Sequence, residues 1–178
     1  MAGPTKPFRL GRLASVFCNG LSLSGGASLT LNPGIYVINS GSFNLSGGTT
    51  FNATAGVTIV LTSSTGSNYA TANISGGANV NITAPTSGPT AGLAFFQDRN
   101  APSSGTDSFS GGATQNITGA IYFPHQAVNY SGGTATGGSQ CTQLIAYTMT
   151  FSGGSTFNNN CAGAGIAAIG GGNSRIVE

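Results

Sequence analysis

Phe43-Asn-Leu-Ser-Gly-Gly48 ends in a triplet that returns along most of the chain. Ser-Gly-Gly begins at six positions, at intervals of 22, 29, 35, 21 and 21 residues: Ser24, Ser46, Ser75, Ser110, Ser131 and Ser152. Self-similarity with a period of about 20 to 50 residues is typical of solenoids and other repeat architectures. The triplet therefore predicts that one structural unit is stacked several times.

Apolar and polar residues alternate on both sides of the triplet. Leu21-Ser-Leu23 precedes the first triplet, and Met149-Thr-Phe151 precedes the last one. Such alternation indicates strands with one buried face, and paired glycines supply the positive φ that a tight corner needs. A second series of apolar strands is predicted after the corners, at residues 35–38, 57–61, 93–96, 120–123 and 144–146.

These patterns predict an all-β fold: a right-handed parallel β-helix (β-solenoid) of about six coils of about 21 residues, with Ser-Gly-Gly corners. Residues 18–178 are expected to form a single β-solenoid domain. Residues 1–17 are interpreted as an unstructured basic leader or the scar of a truncation. The two longer intervals predict surface loops that contain residues 62–68 and 97–105. An antiparallel sandwich is the alternative fold, because its turns would also recur.

The composition limits the classes of partner. Only 4% of the 178 residues are charged and the formal net charge is +2, whereas roughly a quarter of the residues are charged in a typical soluble domain. The sequence contains no basic stripe for a nucleic acid and no apolar run of about eighteen residues for a membrane span. Neither a nucleic acid nor a membrane span is therefore expected.

The cysteine spacing provides a test of the repeat. Cys141 and Cys161 are 20 residues apart, which is almost one repeat. Residues one repeat apart in a solenoid lie about 4.8 Å from each other, which is within disulfide range. The fold therefore predicts a Cys141–Cys161 disulfide, with two buried free thiols as the alternative. Cys18 is left without a matching cysteine.

The densest group of charges predicts a partner-binding loop made of Gln97, Asp98, Arg99, Asn100 and Asp107. These residues would contact a protein partner or a saccharide. The alternative is a loop held together by an Asp98–Arg99 pair and Asx turns. Two carboxylates supply too few hard oxygen ligands for a metal site, so neither a metal nor a cofactor is expected.

Catalytic chemistry is not expected either. Glycoside hydrolysis usually needs a pair of carboxylates that flank the scissile bond, and the carboxylate side chains here are Asp98, Asp107 and the terminal Glu178. His125 is the single histidine and has no nearby Cys–Asp arrangement, so it is interpreted as a corner residue. The chain is therefore predicted not to be an enzyme.

Two recurring residue types have both a functional and a structural interpretation. Five tyrosines could line a sugar-binding face, or belong to the core and to stacked ladders: Tyr36, Tyr69, Tyr122, Tyr130 and Tyr147. Six Asn-x-Ser/Thr sequons recur because the repeat recurs, so they indicate glycosylation only weakly: Asn44, Asn52, Asn73, Asn81, Asn116 and Asn129.

Several motifs carry a family resemblance. Ala84-Pro-Thr-Ser-Gly-Pro89 is followed by Leu93-Ala-Phe-Phe-Gln-Asp-Arg-Asn-Ala-Pro102, and then by Gly119-Ala-Ile-Tyr-Phe-Pro124 and Cys141-Thr-Gln-Leu-Ile-Ala146. This order resembles the C-terminal region of bacterial TadG-like proteins, which are TadE/TadG-like proteins associated with Flp (tight-adherence) pilus assembly. The resemblance spans roughly residues 18–178. It implies a location in the bacterial cell envelope, in the periplasm or on the cell surface.

The leading hypothesis is therefore an extracellular or cell-envelope structural or adhesive module. Its expected partners are pilus or envelope proteins or surface glycans, and other copies of the chain that associate through the open ends of the solenoid. A carbohydrate-binding β-helix is the alternative, and a polysaccharide lyase or hydrolase is the third hypothesis.

Overall fold

The computed structural model describes residues 14–112, 114–132, 135–136 and 141–155. In this part of the chain all paired strands are parallel and no helix occurs, so the fold is all-β. The strands form one hydrogen-bonded sheet of 14 strands around a common apolar core. This arrangement is a parallel β-helix or solenoid, and it rules out the antiparallel sandwich.

The strands are short, with two exceptions near the C-terminal end. Their bounds are β1 Ala14–Cys18, β2 Leu21–Leu23, β3 Ser28–Thr30, β4 Gly34–Asn39, β5 Ser42–Leu45, β6 Thr50–Ala53, β7 Val57–Thr62, β8 Thr71–Ile74, β9 Asn79–Thr83, β10 Leu93–Gln97, β11 Thr106–Phe109, β12 Thr114–Tyr130, β13 Ala135–Thr136 and β14 Thr142–Phe151. All five predicted strands of the second series are present, in β4, β7, β10, β12 and β14.

The described strands pair in three parallel series, and each series forms one face. The first face contains β1, β4, β7, β10, the middle of β12 and the start of β14. The second face contains β2, β5, β8, β11 and the ends of β12 and β14. The third face contains β3, β6, β9, the start of β12 and β13. The long β12 therefore contributes to all three faces.

The Ser-Gly-Gly triplets stack at the corner between the second and third faces, as predicted. The amide of Gly77 donates to the carbonyl of Gly111 at 2.9 Å, and the amide of Gly112 donates to the carbonyl of Gly132 at 2.9 Å. Gly111 and Gly112 both have a positive φ, of 71° and 73°. A Cβ on Gly111 would lie 2.8 Å from the backbone nitrogen of Gly76, whereas a Cβ on Gly112 would have nothing within 4 Å. The first glycine is thus required by space and by φ, and the second by φ alone.

The core consists of side chains that point inward from the three faces. The ring of Phe109 stacks on Tyr130 at 4.9 Å, and Tyr130 stacks on Phe151 at 5.5 Å, measured between centroids. Phe95 contacts Phe43 and Phe123 from the first face, at 5.7 and 6.1 Å. Phe151 is exposed, and the other five rings are buried. Buried aromatic rings that pack in this way contribute stability beyond the area they bury. The alternating pattern predicts most of the inward positions, but Met149 and Phe151, before the last triplet, are 48% and 47% exposed.

Outward-facing asparagines form hydrogen-bonded ladders on the second and third faces. On the third face, Asn81 donates its amide to Asn52 at 2.9 Å, and Asn116 donates to Asn81 at 2.7 Å. On the second face, Asn73 donates to Asn44 at 2.9 Å. These five residues are sequon asparagines. The sequons therefore recur because ladder positions recur, and their amides already bond to neighbouring turns.

The solenoid begins earlier than predicted. The segment 14–17, which the sequence assigned to the leader, lies in β1 and pairs with β4. Phe17 packs against the core and stacks on Tyr36 at 6.4 Å. Basic residues precede the apolar pair Val16-Phe17, so the sequence did not indicate that a strand begins there. Residues 1–13 lie outside the described residues.

The two cysteines that the structure describes differ in burial. Cys18 is an exposed free thiol. Cys141 is buried, and its carbonyl accepts the amide of Gly119 at 2.8 Å. Cys161 lies outside the described residues, so the Cys141–Cys161 disulfide stays a prediction.

Candidate functional site

The interior of the solenoid becomes polar where the chain passes through β10 and β11. Gln97 ends β10 and pairs with Leu61 of the preceding turn, and Asp107 in β11 pairs with Val128 of the next turn. Both side chains point into the core and are fully buried. Buried polar groups are costly unless they bond to one another, so an interruption of the apolar pattern marks a candidate functional site.

A network of hydrogen bonds joins these buried groups. The Oδ1 atom of Asp107 accepts the backbone amide of Ala72 at 2.6 Å, and its Oδ2 atom lies 3.3 Å from Nε2 of Gln97. The same Nε2 atom donates to Oε1 of Gln126 at 2.6 Å and lies 3.4 Å from the carbonyl of Ala70. We call Gln97, Asp107 and Gln126 the buried polar cluster. The cluster joins side chains of the strands β10, β11 and β12.

The electrostatics of the cluster centre on Asp107. Burial raises the pKa of Asp107 to about 7, and the hydrogen bonds from the Ala72 amide and the Gln97 side chain offset part of this effect. A carboxyl group that loses its hydration is harder to ionise. The group therefore changes its charge near neutral pH.

Above the cluster, residues 98–105 form a loop between β10 and β11, which we call the 98–105 loop. Asp98 accepts the amide of Asn100 at 2.9 Å, which makes the predicted Asx turn, and it also accepts the hydroxyl of Thr62 at 2.6 Å. The guanidinium of Arg99 lies over the ring of Tyr122, 5.6 Å from its centroid. The predicted Asp98–Arg99 pair is thus replaced by a turn and a cation–π contact.

The structure separates the five residues of the predicted partner-binding loop. Asp98, Arg99 and Asn100 are at least partly exposed, so they are available to a partner. Gln97 and Asp107 are fully buried and do not reach a partner in this conformation, because alternation turns them inward. The partner-binding role of the five residues stays a prediction.

Gln126 is the cluster residue that the sequence interpretation missed. The structure buries Gln126, Val128 and Tyr130 in alternation along β12. The same alternation could have indicated an inward-facing Gln126. His125, directly before it, is exposed where the register of β12 shifts between the first and second faces.

A groove lies beside the loop on the outer surface of the first face. It has a volume of about 390 Å³, and its lining includes the polar residues Thr62, Thr90 and Asp98. The other lining residues are apolar: Ile35, Val37, Val60, Pro89, Leu93 and Phe96. Ligand pockets in proteins commonly enclose about 300 to 1,000 Å³. The groove thus has the size for a small ligand, and its lining combines apolar side chains with the polar groups of Thr62, Thr90 and Asp98.

The tyrosines do not form a single sugar-binding face. Tyr130 is buried in the core, and Tyr36 is partly buried against the core. Tyr147 is exposed. Tyr122 stacks on Phe96, with centroids 5.5 Å apart and planes 15° from parallel. Because these two rings face each other, they form a ladder step rather than an open platform.

Comparisons of the chain with protein-family models, with curated proteins and with solved structures give no match. Within the described ranges, no helix has the length and apolarity to cross a membrane. The same residues contain no group of three or more His, Cys, Asp or Glu side chains arranged for a metal ion.

Proposed function

We propose that the chain is a structural or adhesive module of the bacterial cell envelope. In this proposal it is a right-handed solenoid of about six coils of about 21 residues, in which surface loops on a stiff rod make the contacts. The observation that carries the proposal is the continuous stacking of Ser-Gly-Gly corners through glycine amide–carbonyl bonds. A rod of this kind resists local opening, because each turn is bonded to the turns on both sides.

The surface chemistry supports the same role. The outer sides of the second and third faces carry asparagine ladders, and few side chains of the protein are charged. Such a surface has little long-range electrostatic attraction for charged macromolecules. It suits a module that works outside the cell by shape and by local contacts.

In this proposal Asp98 and Asp107, the two carboxylate side chains that the structure describes, have structural roles. Asp107 is buried, and Asp98 is engaged with Asn100 and Thr62. A hydrolase needs two carboxyl groups that face a substrate from opposite sides. Their present positions favour a binding or structural role.

The resemblance to TadG-like proteins of Flp pilus assembly supports pilus or envelope proteins as partners. The experiment is to delete the gene in a bacterium that encodes the chain, and to measure location and surface attachment. We expect the protein in the periplasmic or surface fraction, and weaker attachment that the wild-type gene restores. A cytoplasmic location together with unchanged attachment would contradict the proposal.

A carbohydrate-binding module is the second candidate, and the groove on the first face favours it. A sugar ring has apolar faces and hydroxyl groups, and the groove places the polar groups of Thr62, Thr90 and Asp98 beside apolar side chains. Arg99 lies nearby over Tyr122. A glycan array with the wild type and Val60→Asp distinguishes the candidates, because a charge in the groove should abolish binding there. Failure of the wild type to bind any surface glycan would remove this candidate.

A further inference from the structure

The buried polar cluster has more hydrogen-bond acceptors than donors. The acceptors are the Asp107 carboxylate, the side-chain oxygens of Gln97 and Gln126, and the carbonyls of Ala70 and Pro102. The Oε1 atom of Gln97 is buried and has no hydrogen-bond partner. A buried acceptor without a donor is costly, so the cluster lacks a proton donor.

The same cluster is tied to the loop above it. Gln126 donates to the carbonyl of Pro102 at 3.2 Å. Gln126 also packs directly on Gly105, where an added Cβ would lie 2.1 Å from its Nε2 atom. Ala101 is buried beneath the loop. A change in the cluster therefore acts on the 98–105 loop through Gln126.

We propose that the proton on Asp107 controls this loop, which closes over the buried polar cluster when the carboxyl is neutral and opens when it is ionised. A neutral carboxyl group leaves no buried charge and adds one O–H donor to this acceptor-rich cluster. An ionised one is a buried charge with one short hydrogen bond, from Ala72, and one long one, from Gln97. Opening the loop admits water to that charge, which lowers the cost of its burial.

Among the residues that the structure describes, no counter-charge bonds to Asp107. The titratable and charged groups of the loops and strands around the cluster are Tyr69, Asp98, Arg99, Tyr122, His125 and Tyr130. Arg99 and His125 are exposed, and Arg99 lies over Tyr122. Tyr130 donates its hydroxyl to Gln115 at 3.2 Å. Because burial raises the pKa of Asp107 to about 7, the transition falls near neutral pH. The proposal does not depend on the envelope role.

The test is amide hydrogen exchange of residues 98–105 between about pH 5.5 and pH 8.5, expressed as protection factors corrected for intrinsic exchange. The wild-type protein should lose about tenfold in protection, with a midpoint near pH 7. Asp107→Asn keeps the shape and removes the charge, so its loop should stay protected at both pH values. Asp98→Asn is the matched control and should keep the pH dependence of the wild type.

Equal wild-type protection at both pH values, or the same loss in Asp107→Asn, would overturn the proposal. If Asp107→Asn does not fold, carbon NMR of the wild-type Asp107 carboxyl gives the second measurement. We expect the carboxyl and the amides of Ala101 and Gly105 to titrate with one midpoint. A carboxyl midpoint below about pH 5 would also overturn the proposal, because the group would then titrate as an ordinary aspartate.

Discussion

Gly111 and Gly112 show how single residues determine the corner of this solenoid. Both adopt a φ that costs an L-residue about 1 to 2 kcal/mol, but only Gly111 is packed against the backbone of the turn below. The triplet thus combines two different requirements in adjacent positions. The same division recurs at Gly76 and Gly77, where the first glycine is packed and the second is open.

Replacing each of these glycines separates the two requirements. We expect Gly112→Ala to lower the free energy of unfolding by about 1 to 2 kcal/mol through φ alone. Gly111→Ala should cost about 1 to 3 kcal/mol more, because its Cβ overpacks against the Gly76 backbone. Urea unfolding of both variants provides the comparison. Equal destabilisation would show that close packing at the corner is unimportant.

The ionisation of Asp107 also belongs to the residue scale and predicts how stability depends on pH. The folded-state pKa of about 7 lies above the ordinary value of 3.8, so the folded state binds the proton more tightly than the unfolded state. The contribution of Asp107 to stability is therefore fully present below about pH 4 and is lost as the pH rises to about 7.

The loss amounts to roughly 4 kcal/mol at most for such a pKa difference. Thermal unfolding from about pH 4 to pH 8 should show falling stability in the wild type and a flatter profile in Asp107→Asn. Stability that instead rose with pH to the same extent in both proteins would assign the dependence to other groups.

At the scale of the strands, the asparagine ladders link successive turns on the outside as the aromatic rings do on the inside. Asn81 occupies the middle of one ladder, since it donates to Asn52 and accepts from Asn116. Asn79 lies on the same strand, is exposed and stands outside this ladder. The two residues therefore form a matched pair.

We expect Asn81→Ala to lower the free energy of unfolding by about 1 to 3 kcal/mol, because two side-chain hydrogen bonds are lost. Asn79→Ala should change it by less than about 0.5 kcal/mol. Denaturant midpoints of the two variants provide the measurement. An equal effect would mean that the ladder does not stabilise the fold.

The sequence predicts the strands well because their period follows from the burial of alternate residues. Phe43, Leu45 and Phe109 are buried as that alternation requires. The sequence predicts the buried polar cluster less well. Gln97 and Asp107 lie in a polar segment, so their residue types are typical of a loop and do not indicate inward-facing side chains. Their inward direction depends on where β10 ends and β11 begins, and the 98–105 loop between them obscures that register. The hydrogen bonds of Gln126 depend on contacts between turns, which the spacing alone does not give.

At the scale of the whole molecule, the parallel pairing explains why the Ser-Gly-Gly intervals can differ without breaking the stack. Extra residues form loops outside the strands, such as residues 98–105. The next Ser-Gly-Gly corner then stacks on the preceding one. Loop length has a small effect on the free energy of folding. Cys141 and Cys161 are also about one repeat apart. The same stacking therefore predicts that these two cysteines lie next to each other, although Cys161 is outside the described residues.

The measurement that tests this account most directly is mass spectrometry of non-reduced peptides from folded protein exported to an oxidising compartment. Stacked turns place residues about one repeat apart within disulfide range. We expect a peptide pair linked through Cys141 and Cys161, with Cys18 free. Well-folded exported protein in which Cys141 and Cys161 are both reduced would contradict the repeat register at the C-terminal end and weaken the assignment to the cell envelope.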